Sequence, residues 1–176
     1  MKFHQTTLKD AVLIDLERRG DDRGFFARTF CADEFAANGL PVDFVQQNTS
    51  YSAQKGTLRG MHFQRAPHAE DKLIRCLRGA IVDIILDLRP DSPTYKQWEA
   101  FELNEENKRQ LLVPKGFAHG FQTVSDHVEV TYLVSARHNG AAEGGVRWND
   151  PAFAITWPSR PVEISSKDLS WPDFAG

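Results

Sequence analysis

Residues 81–88 read Ile81-Val82-Asp83-Ile84-Ile85-Leu86-Asp87-Leu88, a β-branched run bounded by Gly79 and Pro90. A run of that length and composition fits a strand, because branched side chains lose rotamer freedom in a helix. Similar runs recur at residues 11–16, 73–77, 98–103, 110–113 and 128–134. Turn signals stand between them, among them Pro90-Asp91-Ser92-Pro93, Asn104-Glu105-Glu106-Asn107 and His138-Asn139-Gly140. Many short strands with regular punctuation predict a β-sandwich or barrel. One short helix is expected over residues 32–38, ended by Gly39 as its cap, and a turn-like segment over residues 104–108. Pro158, Pro161 and Pro172 mark the stretch from about residue 157 as an extended tail packed over the body. No repeat, low-complexity tract or linker divides the chain, so residues 1–176 read as one mainly β domain with a few short helices.

The 176 residues suffice for one sizeable core. A net charge of -3 gives no reason to expect nucleic acid or a membrane as partner. Cys31 and Cys76 form neither a disulfide framework nor a metal-ligand spacing, which fits a reducing compartment. The start, Met1-Lys2-Phe3-His4-Gln5, has no apolar signal stretch. No run approaches the roughly 18 apolar residues of a membrane span. A cytoplasmic protein is expected.

Three clusters carry the side chains that could do chemistry. The first is Gly56-Thr57-Leu58-Arg59-Gly60-Met61-His62-Phe63-Gln64, followed by His68, Lys72, Arg75 and Arg78. The second is Val113-Pro114-Lys115-Gly116-Phe117-Ala118-His119-Gly120-Phe121, and the third joins Tyr132, Glu143 and Ser165-Ser166-Lys167-Asp168. The spacing of Pro114, Gly116 and His119 resembles the second half-motif of the cupin superfamily, a small jelly-roll β-barrel or sandwich. The first half-motif normally supplies metal ligands as His-x-His, but here it reads His62-Phe63-Gln64. Three or four converging ligands define a metal site. His62, His68 and His119 are available, yet no spacing requires a metal, and none is expected.

Further fragments make the resemblance specific. Asp22-Arg23-Gly24-Phe25-Phe26, Gln47-Asn48, the clusters around His62 and His119, Lys72, Tyr132, Trp148-Asn149-Asp150-Pro151, Trp157-Pro158 and Ser166-Lys167-Asp168 occur in family order. Together they resemble the dTDP-4-dehydrorhamnose 3,5-epimerase family. That resemblance implies a cupin-type jelly roll, no metal or other cofactor, and a homodimer with an exchanged N-terminal strand. It implies epimerisation at C3 and/or C5 of a nucleotide-linked 4-keto-6-deoxyhexose, in deoxysugar biosynthesis. His62 then matches the base, Asp168 the carboxylate holding its imidazole, Lys72 the cation at the keto oxygen, and Tyr132 the opposing acid. Arg59 and Arg23 match positions for the pyrophosphate, Arg23 arriving from the neighbouring subunit. Phe26, Gln47, Asn48, His119, Glu143 and Lys167 match other substrate-binding positions. Taken singly, each residue is ordinary: a lysine is mostly a solvated charge, and a tyrosine in a β-branched run is mostly core. Their combination carries the reading.

Two substrate-side positions depart from the family pattern. Arg28 stands where a glutamate is common, and His138 where a tyrosine is common. A cation in place of an acceptor changes which base edge can be hydrogen-bonded, so the pattern also admits a CDP- or GDP-linked sugar. Arg28 could equally face solvent or form a salt bridge across a dimer. The same residues also admit a ketoisomerase, a single-carbon epimerase and, more remotely, a metal-dependent cupin.

Overall fold

The computed structural model describes residues 1–175. The first part of the chain forms β1 (Lys2–Gln5), β2 (Val12–Asp15), β3 (Arg19–Asp21), β4 (Gly24–Phe26), α1 (Ala32–Ala37) and β5 (Gln46–Ser52). The middle forms β6 (Thr57–Gln64), β7 (Lys72–Arg78), β8 (Ala80–Asp87), β9 (Trp98–Asn104) and β10 (Gln110–Val113). Then come β11 (Phe117–Thr123), β12 (Val128–Val134), β13 (Glu143–Gly145), β14 (Glu163–Ile164) and α2 (Ser166–Leu169).

One sheet has the order β1-β2-β10-β7-β12-β5; the other runs β13-β6-β11-β8-β9, with β14 also on β6. They stack as a sandwich, not as a closed barrel, with the β3–β4 hairpin standing apart. Strand alternation explains the packing. Ile81 and Ile85 of β8 meet Ile74, Cys76, Leu111 and Val113 of the first sheet in the central core. Ile84 and Leu86, pointing the other way, pack with Met61, Val146 and Phe153, and this layer draws in Trp157 and Phe174 from the tail. The first sheet is also covered outside: Val12, Ile14, Leu73 and Leu112 pack under Phe35 of α1. Both faces of the central strands are therefore buried, which is why β8 and β10 read as nearly continuous apolar runs.

Helix α1 ends as the sequence predicts. Gly39 has φ +69°, and Leu40 and Gly39 donate to Phe35 and Ala36 carbonyls, both at 3.0 Å. This paired closure is the Schellman arrangement, with Asn38 as cap and not as a helical residue. The tail differs from the expected extended form. It carries β14, which pairs parallel with β6, and α2, whose start is capped by Ser165 Oγ accepting from the Asp168 amide at 3.1 Å. That cap follows from a serine placed three residues ahead of Asp168.

The crossing of β6 and β11 matters most for the site. His119 lies opposite His62 and Phe121 opposite Arg59, so three steps on β6 span two on β11. In a regular strand Arg59 and His62 would point to opposite faces; the extra residue of a bulge turns both inward. The crossing needs glycine on both strands. A Cβ on Gly60, whose φ is +138°, would lie 2.5 Å from the Gly120 Cα, and one on Gly120 would lie 2.8 Å from the Arg59 carbonyl oxygen. Replacing Gly60 by alanine is expected to lower the free energy of urea unfolding by about 1–3 kcal/mol or more. An unchanged unfolding midpoint would mean that the two backbones separate without penalty.

Candidate active site

Between the sheets lie two adjoining cavities, of about 390 and 370 Å³, which share His62, Lys72 and Tyr132. Alternation puts these three there: Lys72 is in phase with Ile74 and Cys76 on β7, and Tyr132 with Val128 and Val130 on β12. His62 enters from the other sheet.

The His62 ring donates through Nε2–H to Asp168 Oδ1 at 2.6 Å, and Asp168 Oδ2 accepts from the Gly60 amide at 3.1 Å. Asp168 is buried, its side chain 5% exposed, while the His62 side chain keeps 33% of its surface. Burial pushes the Asp168 carboxyl up, but the bonds from His62 and Gly60 outweigh it and hold the group below the usual carboxylate range. An ionised Asp168 accepts the hydrogen bond from Nε2–H, which fixes that tautomer and leaves the Nδ1 lone pair as the basic site.

Across the cavity, Lys72 Nζ lies 3.4 Å from Glu70 Oε1, and the two side chains are 12% and 11% exposed. Tyr132 is partly buried against the core. Burial pushes its phenol above the ordinary value, the Glu70 charge adds to this, and Arg59 opposes it. Arg59 is fixed at the rim by bonds to Ser52 Oγ at 3.1 Å and to the Tyr51 carbonyl at 2.8 Å. Among the described residues it has no carboxylate partner. His119 Nε2 lies 3.0 Å from Asp83, a fully buried carboxylate. Lys167 Nζ meets Glu143 Oε1 at 2.5 Å, which holds Glu143 below the usual range. Thus His119 and Lys167 line the first cavity, and Asn48, His138 and Glu143 the second.

Four sequence-predicted residues lie elsewhere. Gln47 points to the opposite face of β5, where its amide donates to Thr131 Oγ1 at 3.1 Å. Strand period gives its expected place to Gln46, which shares the inner face with Asn48 and donates to its Oδ1 at 2.9 Å. Arg23 and Phe26 sit on the β3–β4 hairpin, exposed and outside both cavities, with Arg23 paired to Asp21. Arg28 lies outside both cavities, bound to Glu34 Oε1 of its own chain at 2.8 Å, a pair within the subunit and not the expected one across a dimer.

Sequence reasoning missed Gln46, Glu70 and Asp83. Asp83 carried a signal, since it occupies the same inward phase as Ile81 and Ile85, where an acid needs a partner. Glu70 precedes its strand and carried none. No group of three or more His, Cys, Asp or Glu among the described residues is arranged to hold a metal. His62 and His119 are each committed to a carboxylate, and His68 Nε2 to Asn139 at 3.0 Å.

The dTDP-4-dehydrorhamnose 3,5-epimerase family model matches residues 5–176. A dTDP-4-dehydrorhamnose 3,5-epimerase of Sinorhizobium fredii is 43% identical, over 99% of this chain and 90% of that protein. The crystal structure of the Bacillus anthracis dTDP-4-dehydrorhamnose 3,5-epimerase, with TDP and PPi bound, is 47% identical with a TM-score of 0.95, covering 98% of this chain and 99% of that one. A Legionella pneumophila 3,5-epimerase solved with dTDP-4-keto-L-rhamnose is 37% identical with a TM-score of 0.91, covering 97% and 90%. Likeness of this extent runs through both sheets and the tail that carries Asp168, and by it the chain belongs to the dTDP-4-dehydrorhamnose 3,5-epimerase family.

Proposed function

We propose that this protein inverts C3 and C5 of dTDP-4-dehydro-6-deoxy-D-glucose, giving dTDP-4-dehydro-L-rhamnose for deoxysugar synthesis, with no cofactor. The observation that carries the reading is that His62 and Tyr132 rise from opposing sheets into one cavity, with Lys72 beside them. Inversion needs that arrangement, because the proton must leave one face of the carbon and return to the other.

C3 and C5 both flank the C4 ketone, so either C–H bond can give its proton to a base while the electron pair moves to the keto oxygen. His62 Nδ1 takes the proton, and Asp168 steadies the imidazolium that results. Lys72 offsets the negative charge on the enolate oxygen. The enolate collapses, the carbon takes the Tyr132 proton on the opposite face, and the ketone is restored. Solvent returns a proton to the phenolate and removes one from His62. Arg59, a cation without a carboxylate partner among the described residues, suits the pyrophosphate. His119, Lys167, Asn48, His138 and Glu143 suit the sugar and nucleoside, and Gln46 replaces Gln47 in that role.

We read the protein as a homodimer. Arg23 and Phe26, exposed on their hairpin and remote from their own cavities, suit contribution to the site of a second copy. Arg28, tied to Glu34, gives no reason to prefer another nucleotide over dTDP. No helix among the described residues is long and apolar enough to cross a membrane, and two free cysteines suit the cytoplasm.

Incubation in D₂O with dTDP-4-keto-6-deoxy-D-glucose is expected to place deuterium at both C3 and C5, read by proton NMR. Label at one carbon would make this a single-carbon epimerase; no label would overturn the dTDP reading. The His62→Ala protein is expected to fold normally and to lose turnover by roughly 10²–10⁴-fold. Tyr132→Phe is expected to keep exchanging protons with solvent while product formation falls; unchanged inversion would put the acid elsewhere.

A further inference from the structure

Glu70 has no part in the scheme above, yet it touches Lys72 on one side and Gln64 on the other. Its Oε1 lies 3.4 Å from Lys72 Nζ, and its Oε2 accepts from Gln64 Nε2 at 2.8 Å. Gln64 is itself pinned: it is buried, donates to the His68 carbonyl at 3.0 Å and accepts from the Asn139 amide at 2.6 Å. Glu70 is therefore held by β6, the strand that carries His62.

An ammonium on a four-carbon stem is mobile, and charges so shielded from water need a partner. A fixed carboxylate supplies the partner and selects the rotamer. At 3.4 Å the contact is longer than a short charge-assisted hydrogen bond. The Lys72 ammonium donates no hydrogen bond among the described residues, so its donors stay free for a substrate oxygen. The same carboxylate is one of the charges that oppose ionisation of Tyr132.

We propose, building on the epimerase reading, that Glu70 is a positioning residue: anchored by Gln64, it aims the Lys72 ammonium at the keto oxygen and sets its own charge in the cavity that Lys72 and Tyr132 share. Gln64 thus occupies the second position of a His-x-His pattern and serves to fix a carboxylate. Other titratable or charged groups facing Tyr132 across the cavities are Arg59 and His62 on β6, Lys72 on β7, His119 on β11, His138 and Glu143 beyond β12, and Glu163, Lys167 and Asp168 of the tail. Replacing Glu70 leaves all of them in place.

The test is Glu70→Gln, whose side-chain carbonyl can still accept from Gln64. It is expected to lower kcat roughly 10- to 100-fold, as misplacement of a catalytic group does, with KM little changed and thermal unfolding unaltered. Tyr132 ionisation, followed as phenolate absorbance after subtraction of the Tyr132→Phe spectrum, is expected to move to lower pH. Gln64→Ala, which frees the carboxylate without removing it, is expected to lower kcat too, and the double variant to lose less than the two losses combined. An unchanged kcat, or Tyr132 titrating as in the parent protein, would overturn the proposal. If the parent protein turns over no dTDP-linked keto sugar, the epimerase reading falls and the Tyr132 titration alone decides the role of Glu70.

Discussion

The close crossing of β6 over β11 at Gly60 and Gly120 is the constraint on which the site depends. A bulge displaces one residue from the ladder and frees its backbone groups. Here the Gly60 amide, no longer spent on β11, donates to Asp168 at 3.1 Å. One irregularity therefore does two things: it turns Arg59 and His62 to the same face, and it anchors the carboxylate that orients His62. On its other side β6 pairs with β13 and β14, which bring Glu143 and the α2 segment to the same cavity.

Charge is distributed with comparable economy. His62 faces Asp168, His119 faces Asp83, Lys72 faces Glu70, and Lys167 faces Glu143. Charged groups withdrawn from water need such matching. The sheets divide the side chains, since the His62 imidazole comes from one and the Lys72 ammonium and Tyr132 phenol from the other. A sandwich whose core is apolar along most of its length reserves polar side chains for the region beyond Tyr132, where the interior opens.

Much of this was legible in the chain itself. The strands at residues 110–113 and 128–134 fall where their β-branched and apolar runs predict, and α1 ends at the glycine that marks it. His62, Lys72, Tyr132 and Asp168 were identifiable because their motif fragments occur together, and the structure gathers them around one cavity. Other features left no mark. Strand β5 reads Gln-Gln-Asn-Thr-Ser-Tyr-Ser, polar because its inner face lines a cavity and its edge is open. Without a hydrophobic alternation to set the phase, Gln46 and Gln47 could not be told apart. Arg23 and Phe26 were legible as motif residues, but the hairpin that carries them stands outside both cavities of its own chain.

The pairing of His62 with Asp168 joins residues 106 positions apart in sequence. During synthesis the chain emerges from its N-terminus, so both sheets have their strands through β12 before this carboxylate exists outside the ribosome. A nascent protein can therefore hold an almost finished sandwich, with Lys72 and Tyr132 seated, and still lack the carboxylate that orients His62. Contacts of such separation form late, and only a two-residue parallel strand and one turn of helix dock the segment that makes this one. The orientation of the His62 ring is thereby tied to the tail: a molecule broken off before residue 168 keeps most of the architecture and loses this alignment.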